Sequence, residues 1–383
     1  MFYRFSWVLI ALLFGSTNIA AKDIKVGLLL PYSGVYAALG NSIENGFHLA
    51  LEQEKMDKRI QVIREDTEVN PGVGLSKARK LVLENKVDTI VGIVSSGVLG
   101  AMRDFVHNAK VPLIVANAGN DHATGKSCSP YITRVSFSSG QINRPMGEWM
   151  YKQGIKKVYT LAPDYAAGHQ MIESFTKSFK KAGGTIVGSA FTPFKKTKDF
   201  GPYLSKAKQT KPDAVFTFYA GGEAISFVKQ YTELGIKKSI PLYGSGFLTS
   251  PLYVKAEGPA ATGVVTSLHY VPTLDTPANK AFVKAYQKKY KKLPSEYDVQ
   301  GYDAGKALVQ AIKAGGKNRA SITKQLAKVN YVSPRGPVSI DPKTNNIVQN
   351  IYVYETIQGK DGLTQKVLAT IKNVKDAPNG CKL

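Results

Sequence analysis

Cysteine is nearly absent, with two in 383 residues, which excludes a disulfide-built scaffold and leaves no CxxC metal or redox motif. Histidine is also sparse. His48, His107, His122, His169 and His269 show no metal-ligand spacing such as HExxH. Neither a GxSxG nucleophile elbow nor a GxxxxGK[ST] phosphate loop occurs, and Gly244-Ser245-Gly246 lacks the third glycine of a dinucleotide loop. No catalytic residue, metal or cofactor is therefore expected. Acidic residues are few: 28 Asp and Glu stand against 51 Lys and Arg, a net charge of +23. No apolar run approaches the ~20 residues that span a bilayer. An apolar fraction of 43% is ordinary for a globular chain and argues against disorder or a polytopic membrane protein.

The first 21 residues read as a signal peptide. Arg4 supplies the positive start, Phe5–Phe14 an apolar run, and Ile19-Ala20-Ala21 an acceptable cleavage site before Lys22. No cysteine follows to carry a lipid anchor. An exported, soluble protein of the periplasm is expected, and in such an oxidising compartment Cys128 and Cys381 should pair. The lysines are scattered as pairs, such as Lys156-Lys157, Lys180-Lys181 and Lys237-Lys238, with no nucleic-acid motif among them. They predict a basic soluble surface that draws in anionic ligands, not a nucleic-acid partner.

Apolar β-branched runs alternate with amphipathic stretches. Strands are predicted at Ile24–Pro31, Ile60–Glu65, Thr89–Val94 and Val111–Ala116, then at Lys157–Ala162, Thr185–Phe191, Ala214–Tyr219 and Pro241–Tyr243. Helices are predicted over Ser42–Gln53, Leu75–Glu84 and Glu223–Leu234. Such alternation implies α/β architecture with parallel sheets covered on both faces. The two groups of four strands imply two doubly wound lobes. The remaining chain, with helices at Thr276–Tyr290, Gln300–Ala314 and Arg319–Val329 and strands at Gly263–Tyr270, Gly336–Asp341 and Ile347–Tyr354, is too short for a third. It is expected to cross back, giving a three-crossing hinge near 136–141, 270–274 and 333–337. The first lobe would comprise 22–138 and 272–335, and the second 139–271 and 336–383.

Ligands of open parallel sheets bind beyond the carboxyl ends of the strands. The loops there are rich in Gly, Ser, Asn, Ala and Tyr, residues that allow close backbone approach and neutral hydrogen bonds. Asp121 and His122 could form an acid/base pair in one such loop, and an amidase or esterase is the enzymatic rival.

Val26-Gly27-Leu28-Leu29-Leu30-Pro31, followed by Ser33-Gly34, Gly40 and Gly46, resembles the opening of type I periplasmic binding proteins, in particular the leucine/isoleucine/valine-binding proteins of ABC transporters. The similarity continues through Val91–Ser96, Asn117-Ala118-Gly119, Tyr165–Gly168, Tyr219–Gly222 and Gly336–Asp341. It implies a monomeric two-lobe protein that closes on a small anionic ligand and delivers it to the transmembrane permease subunits. In that family a serine, matched by Ser95 or Ser96, and groups matched by Asn117–Gly119 hold the ligand carboxylate, with second-lobe tyrosines matched by Tyr165 and Tyr219. Its threonine for the amino-acid backbone falls at Gly119, and its acidic partner for the ammonium falls near Gly246. A buried ammonium without an anion is disfavoured, so the resemblance points to a small carboxylate, aromatic in character. Asn117–Asn120 and Cys128–Tyr131 resemble the aromatic-acid branch. The expected contact set is Tyr36, Leu39, Ser95, Ser96, Asn117, Ala118, Gly119, Asn120, Tyr165, Tyr219, Gly246 and Phe247. A branched-chain amino-acid binder and a non-transport ligand sensor are the alternatives.

Overall fold

The computed structural model describes residues 24–383; the expected signal peptide and its cleavage site lie outside the described residues. Strand β1 (Ile24–Leu30) shows why the sheet is covered on both faces. Ile24, Val26, Leu28 and Leu30 enter one apolar cluster, while Leu29 enters another, as period-two alternation requires. The chain continues through α1 (Ala37–Gln53), β2 (Ile60–Asp66), α2 (Pro71–Arg79), β3 (Thr89–Gly92), α3 (Ser96–Asn108), β4 (Leu113–Val115) and β5 (Ile132–Arg134). All pair in parallel in the order β2-β1-β3-β4-β5.

The second lobe repeats this plan with α4 (Ser139–Lys152), β6 (Lys157–Pro163), α5 (Ala166–Lys181), β7 (Thr185–Thr192), α6 (Gly201–Gln209), β8 (Ala214–Thr217), α7 (Gly222–Glu233), β9 (Leu242–Ser245), α8 (Val254–Glu257) and β10 (Val265–Leu268). Its parallel order, β7-β6-β8-β9-β10, matches the first lobe strand for strand. In each lobe the order reverses beside the first strand, and that switch point opens a crevice at the carboxyl edge.

The chain then returns to the first lobe through α9 (Pro277–Tyr290), α10 (Glu296–Lys313), α11 (Arg319–Leu326), β11 (Asn330–Ser333) and β12 (Gly336–Asp341). Helices α1 and α10 lie backbone to backbone. A Cβ at Gly46 would overlap the carbonyl oxygen of Asp298, and one at Gly301 would overlap that of Ile43. Strand β13 (Asn346–Gly359) begins beside β12 and β5 and ends beside β10 and β14 (Gly362–Val374). The third crossing thus falls inside β13, with a register shift between Gln349 and Ile351, and not at 333–337. Residues 336–348 pair with first-lobe strands because β12 folds back on β11 before the chain crosses.

Two fully buried arginines brace the hinge. Arg335 Nε donates to Asp303 at 2.6 Å and its Nη1 to the Ser136 carbonyl at 2.9 Å. Arg134 Nε donates to Asn346 Oδ1 at 2.8 Å and its Nη1 to the Asn120 carbonyl at 2.7 Å. Beyond β14, Asp376 accepts from Ser138, and Cys381 forms a disulfide with Cys128, their Cα atoms 5.5 Å apart. The tail therefore ties second-lobe sheet to first-lobe loop. No described helix is long and apolar enough to cross a membrane.

Candidate ligand-binding site

The carboxyl ends of both sheets face each other across a narrow interlobe cavity that the closed lobes nearly fill with their own side chains. Six aromatic side chains wall it: Tyr36, Phe137, Tyr165, Phe218, Phe247 and Tyr297. Phe137 and Phe247 have ring centroids 5.1 Å apart, and Phe247 and Tyr297 5.7 Å. Tyr165 stacks on Phe194 at 4.0 Å with rings 6° from parallel, which fixes its orientation. The Tyr36 and Tyr165 hydroxyls meet at 3.3 Å, one from each lobe. Burial pushes both phenols far above their ordinary pKa, so they remain neutral hydrogen-bonding groups.

Polar groups in the lining are few and uncharged. Ser96 opens α3, is 1% exposed, and its Oγ has no hydrogen-bond partner among the described residues. Asn117 Nδ2 donates to Gln300 Oε1 at 2.7 Å, and Gln300 Nε2 lies 3.2 Å from His269 Nε2. His269 is fully buried, stacks on Phe137 at 5.7 Å, and its pKa is driven well below the ordinary value by burial and then by Arg335. It is a neutral ring that holds two lining residues in place.

Three helix N-termini border the cavity. Ser96 and Ala167 lie in the first turns of α3 and α5, and Ala220 directly precedes the Gly221 cap of α7. Their unpaired N–H groups and macrodipoles favour a negative group. Gly221, at φ 60°, makes this edge thin: a Cβ there would sit 2.8 Å from the carbonyl oxygen of Val35 across the cleft. Further contacts across the cleft join Lys195 Nζ to the Val69 carbonyl at 2.7 Å and Gln170 Oε1 to the Asp121 N–H at 2.9 Å.

Of the expected residues, Tyr36, Leu39, Ser96, Asn117, Gly119, Tyr165 and Phe247 line this cavity. The other five do not, and each has a local reason. Tyr219 points into the second-lobe core, its hydroxyl 3.1 Å from Thr192 Oγ1 and its ring against Phe200 and Phe227; alternation turns Phe218 and Ala220 inward instead. By the same alternation Ala118 packs into the apolar cluster behind the sheet, between Asn117 and Gly119. Ser95 is the N-cap residue of α3, its carbonyl accepting from Leu99. Asn120 braces that helix end, with Nδ2 donating to the Ser96 carbonyl at 2.9 Å. Gly246 is packed against Leu268 and Tyr354. Sequence reasoning missed Val94, Phe137, Ala167, Met171, Phe218, Ala220 and Tyr297.

No charged side chain lines the cavity among the described residues. Asp121 instead accepts from the Gly140 N–H at 2.9 Å, and burial pushes its carboxyl up to about 7. Glu223 accepts from the Lys195 N–H at 2.9 Å and is pushed up to about 7 by burial. The His122 N–H donates to Asn120 Oδ1 at 3.0 Å, and its ring is not bonded to Asp121, so the two do not form an acid/base pair.

The family model for periplasmic binding proteins matches residues 23–362. Leu/Ile/Val-binding protein homolog 6 of Brucella melitensis biotype 1 is 33% identical over 353 residues, covering 89% of this chain and 90% of its own. An ABC-transporter solute-binding protein from R. palustris, solved in complex with benzoate, superposes with a TM-score of 0.88 at 38% identity, covering 94% of this chain and all of that one. A solute-binding protein of an ABC transporter from Rhodopseudomonas palustris BisB5, in complex with 3,4-dihydroxy benzoic acid, gives 0.88 at 36% identity, with 93% and 99% coverage. With its two matching lobes, three crossings and interlobe cavity, the chain belongs to the periplasmic binding protein family, as a type I solute-binding protein of the leucine-binding-like, ABC-transporter kind.

Proposed function

We propose that this protein captures a small aromatic carboxylate of the benzoate class in the interlobe cavity and presents it to an ABC permease. One observation carries the reading: the lining combines six aromatic rings and converging helix N-termini with no charged side chain. A flat apolar ring gains from burial against those walls. A carboxylate gains from the free N–H groups and the Ser96 hydroxyl. An α-amino acid would bury its ammonium without an anion, at a cost of several kcal/mol. The benzoate and dihydroxybenzoate complexes of the two similar proteins support the same ligand class.

The mechanism is closure. The bodies that move are 24–138 with 272–348, and 139–271 with 349–374. The ligand touches both in the closed form and shifts the open–closed equilibrium by its differential affinity for the two states. The Tyr36–Tyr165 contact forms only when the lobes meet. The residues before Lys22 serve as an export signal, and the mature chain works as a monomer in the periplasm beside its permease. Calorimetric titration with benzoate, 4-hydroxybenzoate and 3,4-dihydroxybenzoate beside leucine and valine tests the assignment. Saturable binding of an aromatic acid with no heat from leucine is expected. Tight leucine binding with no response to the aromatic acids overturns it.

A further inference from the structure

The cavity occupies the carboxyl edge of the second-lobe sheet, so the amino ends of its strands form the opposite pole. The topology gathers there the segments that enter β6, β7, β8 and β9, together with the β13–β14 hairpin, whose strand β13 runs antiparallel to β10. The segments are tied together. Asp213 Oδ2 accepts from the N–H groups of Lys156 and Lys157 at 2.8 and 2.7 Å, and Lys237 Nζ donates to the Ala260 carbonyl at 2.8 Å.

On this pole Lys156, Lys157, Lys180, Lys181, Lys238 and Lys360 are exposed. None has a carboxylate within ion-pair distance among the described residues. The acids nearby do not balance them. Glu148 is taken by Lys152, Asp213 is occupied by backbone N–H groups, and Glu233, Glu355 and Asp361 remain against six lysines. In the first lobe Lys289 pairs with Glu52, and Lys306 and Lys313 both pair with Glu54, whereas Lys58, Lys317, Lys324 and Lys343 are exposed and unpaired among the described residues but spread over separate faces. Helix-dipole compensation explains Lys180 and Lys181 in the last turn of α5. It does not explain Lys156 and Lys157, which lead into a strand, or Lys360 in a hairpin.

We propose that this pole is a docking surface for an anionic phospholipid headgroup plane. Three features favour that partner over a nucleic acid or an acidic protein. Every cation on the pole is a lysine, a hydrated point charge without the fork that reads phosphate or carboxylate geometry in pairs. The charges come from separate segments at one end of a sheet, which suits a fluid layer of like charges better than a shaped groove. The pole also lies opposite the cavity, so docking leaves the cleft free to open. The effect is to hold the protein near the membrane without committing its ligand site, and it does not depend on which ligand the cavity takes.

The test is co-sedimentation of the purified protein with vesicles of phosphatidylcholine alone and of phosphatidylcholine with phosphatidylglycerol, at low and high salt. Binding only to the anionic vesicles, abolished as the Debye length shrinks to a few ångströms, is expected. A variant carrying Lys157→Gln, Lys181→Gln, Lys238→Gln and Lys360→Gln should bind at least about tenfold more weakly. A control with equal charge loss on the first lobe, Lys58→Gln, Lys317→Gln, Lys324→Gln and Lys343→Gln, should bind like the parent. Equal losses in both variants would assign the effect to net charge and overturn the proposal. No binding to anionic vesicles at low salt would overturn it too, as would binding to polyglutamate without binding to vesicles.

Discussion

Replacing Ser96 with alanine separates binding from folding. The Ser96 hydroxyl is buried at the cavity wall, in the first turn of α3, and has no protein partner among the described residues. A hydrogen bond from it to a ligand carboxylate is worth about 1.5–3 kcal/mol. At 1.4 kcal/mol per tenfold, a loss of about 2 kcal/mol weakens binding roughly 30-fold. The free protein loses nothing, because an unpaired buried hydroxyl costs stability. Its Tm should stay level or rise. Thermal denaturation reads both effects at once. Benzoate at 100 times the parent Kd protects the parent by about 2.7 kcal/mol, and at the same concentration it should protect Ser96→Ala by about 0.9 kcal/mol. A fall in the Tm of the free variant with undiminished protection by benzoate would refute the reasoning, since it would make the hydroxyl structural.

Tyr165→Phe and Tyr219→Phe should behave oppositely. The first removes a hydroxyl at the lobe contact and weakens benzoate binding in calorimetry; the second breaks the bond to Thr192, lowers stability by about 1 kcal/mol, and leaves affinity unchanged. Glu223 gives a pH signature. Its carboxyl is held up to about 7 by burial, against an ordinary 4.5, so the folded chain keeps a proton that the unfolded chain releases. That contribution is fully present below about pH 4.5 and is lost as pH rises through 7. Urea titrations should therefore show Glu223→Gln gaining on the parent across that window, by at most about 3 kcal/mol; parallel pH profiles would refute this. Cys128→Ser with Cys381→Ser should lower the unfolding free energy by up to about 5 kcal/mol, the upper range for a bridge closing a long loop, as read in denaturant under non-reducing conditions.

The two-lobe plan was legible because each central strand buries both faces and each crossover helix shows one apolar stripe. Ile24–Leu30 and Lys157–Pro163 carry that signal openly. Strand β14 did not, because it lies at a sheet edge with Val367, Ala369 and Ile371 only half-buried. The place of the third crossing is not legible in the sequence because Gly336–Asp341 reads as a strand without stating its partner, and only its pairing with β11 assigns it to the first lobe. At the site, the loops after strands lead to Ser96, Asn117 and Tyr165, which line the cavity. Within such loops the sequence names a neighbourhood but not a facing, so it does not reveal that Phe218, and not Tyr219, turns toward the cavity. Phe137 comes from a hinge crossing and Tyr297 from α10, far along the chain, where no strand-end rule leads.

The disulfide has a consequence for proteolytic wear. Cys128 and Cys381 lie 253 positions apart, and all three crossings fall between them. A protease that nicks the backbone once anywhere in that interval releases no fragment: the two pieces stay one covalent molecule. Damage at an exposed loop therefore leaves both halves of the cavity in the same particle.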